Sequence, residues 1–149
     1  MRGLEKIKGG EIVRARINAQ KKTLGICVGM QILFDSSEEV FGDHEPQGLG
    51  ICSGKVVKLE ALVIPHIGWN TLTVADTSTL FRGVEKERFY FVHSYAALSA
   101  SSNFVATTAV HGDEFIAAIE SELVSAVQFH PEKSGAAGLR LINNWAASL

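Results

Sequence analysis

Residues 24–31 read LGICVGMQ, a cysteine set between two glycines, after a short apolar run and ahead of a stretch with helical spacing. Two readings compete for Cys27. A free cysteine behaves as a small hydrophobe and is commonly buried. Alternatively, Gly25-Ile26-Cys27-Val28-Gly29 has the form of a nucleophile elbow, with cysteine in the place that serine takes in hydrolases. A strand that turns sharply into a helix strains its central residue, and side chains on the flanking positions would collide with it, which accounts for the two glycines. The same geometry aims the thiol at the N-terminus of the next helix, where the dipole and free amides favour the thiolate. The elbow reading therefore expects a strand, a helix and a thiol of lowered pKa.

Working outward, residues 23–26 read as a short buried strand, and Met30, Ile32, Leu33 and Phe34 continue a helix beyond Cys27. Upstream, residues 4–17 have loose helical spacing interrupted by Gly9-Gly10, which predicts two short helical pieces. Residues 36–50 are polar, with Gly42, Pro46, Gly48 and Gly50 as breakers, and read as a loop. Alternation predicts a strand over 54–60, and further strands are read over 70–74, over the aromatic-rich 88–96 and over 125–129. Residues 104–110 and 115–121 flank His111-Gly112-Asp113-Glu114, a hairpin turn. The chain closes in a helix whose apolar face includes Leu139, Ile142 and Trp145. This order gives one α/β domain over residues 1–149, with a mixed sheet flanked by helices.

A cysteine nucleophile needs a base, and the base needs an orienting group. AVQFHPEKSG, residues 126 to 135, supplies both types: His130 follows a strand, and Glu132 lies two residues on. In extended backbone such residues point to the same side, and Pro131 favours that conformation. Sites in parallel α/β sheets form at the carboxyl ends of strands, which is where both Cys27 and His130 fall. Taken alone, His-Pro-Glu is a common surface turn; paired with the elbow it points to a cysteine hydrolase or transferase. Cys52, in GLGICSG, has no acid–base company and reads as structural.

The bulk properties narrow the field. The chain has 149 residues, 46% hydrophobic and 20% charged, with a net charge of −2. Such a charge gives no reason to expect nucleic acid or an anionic membrane as partner. Two cysteines are too few for a disulfide framework and suit a reducing compartment, so a cytoplasmic protein is expected. No apolar run approaches the roughly 20 residues that span a bilayer. The histidines and cysteines lack the spacing of a zinc site, and neither metal nor cofactor is expected.

The two motifs, in this order, resemble the class I (triad-type) glutamine amidotransferases, whose fold is a flavodoxin-like mixed sheet flanked by helices. The resemblance implies Cys27 as nucleophile, His130 as general base and acid, and Glu132 as the group that orients the histidine. It implies the Val28 amide as an oxyanion donor and Gln31, in the family's G-x-C-x-G-x-Q pattern, as a substrate contact. Glu39 resembles the acidic residue that receives the substrate's α-ammonium group, with Glu38 the alternative. His93, Ser94 and Tyr95 match the H-S/T-Y segment that lies beside the glutamine carboxylate.

Within the family, PHIGWN at residues 65 to 70, FYFVHSY and AVQFHPEKSG resemble the glutaminase subunits of imidazole glycerol phosphate synthases. That narrower likeness implies glutamine as substrate and ammonia delivery to a cyclase subunit with a (β/α)₈ barrel, in histidine biosynthesis. Trp69, Asn70, Tyr90 and Lys133 are then the interface residues. Against the family pattern, the chain is expected to lack an N-terminal βαβ portion and a P-G-V-G segment that supplies part of the oxyanion hole. Losing one such donor costs on the order of 10²–10³ in rate. A non-catalytic remnant that binds the barrel and a cysteine-elbow hydrolase of esters or lactones are the rival readings.

Overall fold

The computed structural model describes residues 8–40 and 46–149. The first of the two expected N-terminal helical pieces and the middle of the 36–50 loop fall outside them. The second piece is helix α1, Gly9–Asn18, which starts at the glycine pair instead of being broken by it. Strand β1 (Thr23–Ile26) follows, then α2 (Val28–Gln31), a single turn that stops short of the expected Ile32–Phe34 extension. The next strands are β2 (Ser36–Ser37) and β3 (Lys55–Lys58).

Strand β4 is His66–Thr71, beginning four residues before the expected start at Asn70. Gly68 pairs with Phe91 in the middle of a regular antiparallel ladder. The single strand expected over 88–96 is two strands, β5 (Arg88–His93) and β6 (Tyr95–Ala97). They part at Ser94, because β5 pairs with β4 whereas β6 pairs with β3. The hairpin is tighter than expected. Strands β7 (Val105–His111) and β8 (Asp113–Glu120) leave Gly112 alone as the turn, at φ 70°. Strand β9 is Val124–Val127, and helix α3 is Gly135–Ala146.

The main sheet has the order β1-β9-β8-β7, parallel between β1 and β9 and antiparallel elsewhere, so it is mixed as expected. Strand β8 lies between two partners and is buried at every position from Phe115 to Glu120. A bulge leaves Ala117 unpaired, since Thr107 faces Ala118 and Thr108 faces Ile116.

Two apolar clusters form the core. Phe81, Phe89, Phe91, Phe115 and Phe129 pack with Leu141 of α3 in one; Met30, Phe34, Val56, Ile116 and Ile119 pack in the other. Cys52 is fully buried in the second cluster, as its structural reading requires. The apolar face of α3 differs from expectation at one position: Leu139 is exposed, while Ala137 and Leu141 are buried, with Ile142 and Trp145 partly so. Ala137, Leu141 and Trp145 recur every four residues, so they share the face that meets the core. Among the described residues no helix is long and apolar enough to cross a membrane.

Candidate active site

The elbow is built from the parallel pairing of β1 with β9. Ile26 faces Val127, and the Cys27 amide extends the ladder by donating to the Val127 carbonyl at 2.8 Å. The chain then reverses: Cys27 takes φ 51°, ψ −110°, and its carbonyl accepts from Met30 N (2.9 Å) and Gln31 N (3.1 Å). A non-glycine residue at positive φ outside the left-handed helical basin is strained and persists only where its surroundings impose it. The two glycines contribute unequally. A Cβ on Gly25 would sit 2.6 Å from the Gly29 carbonyl oxygen, whereas one on Gly29 would meet nothing. Gly25 permits the close approach of strand and helix; the expectation that both glycines avoid collisions is corrected for Gly29.

The thiol is not tuned as expected. Burial pushes the Cys27 pKa above the ordinary thiol range. A hydrogen bond from the Val28 backbone N–H opposes that shift, while the Glu132 and Glu39 charges reinforce it. A helix of one turn carries little dipole, and desolvation disfavours the charged form more strongly. In the resting site burial favours the thiol over the thiolate.

His130 and Glu132 do meet, by a different route from the one expected. His130 is extended (φ −105°, ψ 96°), but Pro131–Lys133 forms a 3₁₀ turn rather than continuing the strand. The turn brings His130 Nδ1 to 2.7 Å from Glu132 Oε1. A carboxylate only accepts, so Nδ1 carries a proton, and in the neutral imidazole Nε2 is then the nitrogen with the free lone pair. Partial burial would raise the Glu132 carboxyl, but the His130 hydrogen bond and the nearby His130 and Lys133 charges hold it below the usual carboxylate value. His130 Nε2 is buried and makes no hydrogen bond. The side chain that reaches the Cys27 sulfur is Gln128, whose Nε2 is 3.7 Å from Sγ.

The His130 backbone is fixed from both sides. Its N–H donates to Tyr90 O at 2.9 Å, and its carbonyl accepts from Ser134 Oγ at 2.7 Å. Ser134 Oγ also accepts from Tyr90 N at 3.0 Å, which ties β5 to the turn. Helix α3 presses on the same turn through Gly138, where a Cβ would lie 1.9 Å from the Pro131 carbonyl oxygen.

An open cavity of about 370 Å³ adjoins the sulfur. Cys27, Val28 and Gln31 line it from the elbow, Glu39 from the following segment, and His93, Ser94 and Tyr95 from the β5–β6 junction. His130 and Glu132 are not part of that lining. Glu38 points elsewhere: its carboxylate accepts from Lys58 N at 3.3 Å and pairs with Lys55 Nζ at 3.4 Å. Among the described residues Glu39 is therefore the carboxylate at the cavity.

Below this junction runs a hydrogen-bond chain from β4. His93 Nδ1–H donates to the Tyr95 carbonyl (3.0 Å), which leaves His93 Nε2 to accept from His66 Nδ1–H (3.0 Å). His66 Nε2 in turn faces Asn70 Nδ2 at 3.4 Å, and Asn70 Nδ2 also donates to Val110 O at 2.9 Å. Burial and the neighbouring imidazoles lower both His66 and His93 to about 4. Asn70 thus faces inward along this chain. Trp69 stands outward, half exposed, edge-on to Tyr90 with ring centroids 5.8 Å apart, and Lys133 is exposed.

Sequence reasoning overlooked Gln128, Ser134, Gly138 and the role of His66. A polar residue inside the apolar run AVQF was the available signal for Gln128. The others depend on which strands become neighbours.

Residues 8–148 match the family model "Glutamine amidotransferase class-I". The imidazole glycerol phosphate synthase subunit HisH of Leifsonia xyli is 49% identical over 148 residues, covering 95% of this chain and 70% of that protein. The subunit of the same name from Mycobacterium tuberculosis is 48% identical over 152 residues, covering all of this chain and 73% of that protein. Among solved structures, a putative GMP synthase protein from Thermoplasma acidophilum superposes with a TM-score of 0.67 at 21% identity. That match covers 97% of this chain and 65% of the other. A glutamine amidotransferase from Thermotoga maritima gives a TM-score of 0.61 at 15% identity, covering 98% and 57%. At such identities the structures show the fold alone.

Proposed function

Because the chain belongs to the class I glutamine amidotransferases, we propose that it acts as the glutaminase subunit of an imidazole glycerol phosphate synthase. It hydrolyses glutamine to glutamate and delivers the ammonia to a cyclase subunit. The observation that carries this reading is an identity close to one half, along 95% or more of the chain, with proteins bearing that subunit's name.

The site chemistry follows from the groups at hand. His130, oriented by Glu132, takes the Cys27 proton at Nε2, and the thiolate attacks the carboxamide carbon of glutamine. The Val28 N–H, already at the sulfur, faces the oxygen that becomes negative. His130 returns its proton to the departing ammonia. Water, deprotonated by the same nitrogen, then cleaves the thioester to glutamate and free thiol. Glu39 receives the α-ammonium group, Gln31 contacts the substrate, and the His93–Tyr95 backbone lies beside its carboxylate. Trp69, Tyr90 and Lys133 meet the (β/α)₈ barrel of the cyclase, while Asn70, turned toward His66 and Val110 O, supports that face from within. An exposed tryptophan packed on a tyrosine suits such a contact.

The test is glutamate release by the chain with and without the cyclase, with Cys27→Ala as control. Activity that requires Cys27, and labelling of Cys27 by a diazo-ketone analogue of glutamine, is the expected result. Stable binding to the cyclase without glutamate release, or labelling of Cys52 instead, overturns the catalytic assignment.

A further inference from the structure

Gln128 is 1% exposed and stands where β9 ends beside the elbow. Its N–H donates to Ala117 O at 2.8 Å, so the bulge in β8 holds its backbone. The orientation of its carboxamide does not depend on telling oxygen from nitrogen. The Tyr95 carbonyl can only accept, so the group 2.9 Å from it must be the Gln31 NH₂. That same NH₂ lies 3.1 Å from the near end of Gln128, which must therefore be the oxygen. The far end of Gln128, an NH₂, is left facing the Cys27 sulfur at 3.7 Å. Donation diverges from the Gln31 NH₂: one arm ends on the Tyr95 carbonyl, and the other reaches Gln128, which in turn donates to the sulfur.

We propose that Gln128 is a catalytic residue of this site, a fixed hydrogen-bond donor to the Cys27 sulfur that supports the thiolate, with Gln31 as the positioning residue that sets its polarity. The chemical use of the sulfur rests on the glutaminase reading above; the contact itself does not. A partly buried sulfur that must become anionic needs donors, because desolvation opposes the charge. Val28 supplies one from the backbone. Among the described residues Gln128 supplies the side-chain donor. Because its N–H engages a lone pair, the thiol proton points away from Gln128. The donor favours thiolate over thiol, which raises the population that can attack, and favours thiolate over thioester sulfur, which aids the departure of the sulfur. Gln31 uses its NH₂ on Tyr95 O and Gln128, which leaves its own oxygen to accept from a bound substrate.

The experiment measures the rate of iodoacetamide alkylation of Cys27 against pH in the full chain bound to its cyclase partner. Peptide mass spectrometry identifies the modified cysteine. Gln128→Glu keeps the acceptor toward Gln31 but turns an oxygen on the sulfur. Its alkylation midpoint is expected to rise by about one pH unit or more, with kcat down roughly 10- to 100-fold and KM within about threefold. Gln128→Met, which removes both amide groups at similar size, should give a smaller rise. It carries the test if the glutamate variant does not fold. A midpoint within about 0.2 pH units of wild type in a folded variant overturns the proposal, even if the variant unfolds at a lower temperature. If the wild-type complex releases no glutamate but the midpoints still shift, the glutaminase reading fails while the donor role stands.

Discussion

His130 Nδ1 and Glu132 Oε1 lie 2.7 Å apart across one proline, joined by a 3₁₀ turn and not by an extended strand. The contact fixes the tautomer that offers Nε2 as a base. Glu132→Gln removes the charge that stabilises the imidazolium while leaving the side chain's size unchanged. We expect kcat to fall about 10²- to 10⁴-fold with KM little changed, measured as glutamate release in the complex. Since the Glu132 carboxyl is held below its ordinary value, the wild-type contact persists at neutral pH and is lost only as pH falls through that lowered value.

Glu38 and Glu39 are adjacent but face different partners. Loss of the carboxylate at Glu39 should raise KM for glutamine about 10- to 100-fold, the worth of one charge-assisted hydrogen bond. Glu38→Gln, at a side chain whose contacts among the described residues are to the Lys55–Lys58 strand, should leave KM within about threefold. Steady-state kinetics of the two variants side by side decide the assignment, and the reverse ranking would return the role to Glu38.

Gly138→Ala ought to help an ordinary helix interior by up to about 1 kcal/mol. Here a Cβ would meet Pro131 O at 1.9 Å, so the turn that carries His130 must move. The expected outcome is a loss of about 1–3 kcal/mol in urea unfolding together with reduced glutaminase turnover. A stabilised, fully active variant would mean that the turn is free to shift.

His66 and His93 are held near pKa 4, below their unfolded value of about 6.5. Between those values the unfolded chain binds more protons than the folded one. Stability is therefore complete above about pH 6.5 and declines as pH falls toward 4. Each proton taken up on unfolding steepens the decline by about 1.4 kcal/mol per pH unit. Urea midpoints at pH 7, 6 and 5 check this, and His66→Gln should flatten the dependence.

Much of the architecture was readable in the residues because local patterns and the tertiary fold agree. The elbow and the strand before it follow from spacing and backbone stereochemistry, and the His130–Glu132 contact was legible from spacing, although a 3₁₀ turn and not extended backbone makes it. Disagreements arose where a partner strand overrode a local signal. Asn70 looks like the start of a strand, yet pairing with β5 starts β4 at His66; Arg88 to Ala96 looks continuous, yet two different partners split it at Ser94. Leu139 fits a helical stripe but faces outward, because the core lies one position round, under Ala137 and Leu141.

The sequence by itself determined which residue types this protein has for chemistry: a cysteine on a strained turn and a histidine with a carboxylate two positions on. Only the tertiary structure decided how they are poised. Burial raised the thiol instead of lowering it, Gln128 rather than His130 came to rest on the sulfur, and Glu39 rather than Glu38 faced the cavity. The reason is physical. Spacing along a chain sets which way neighbouring side chains point, but solvation and long-range contacts exist only once β1, β8 and β9 lie side by side.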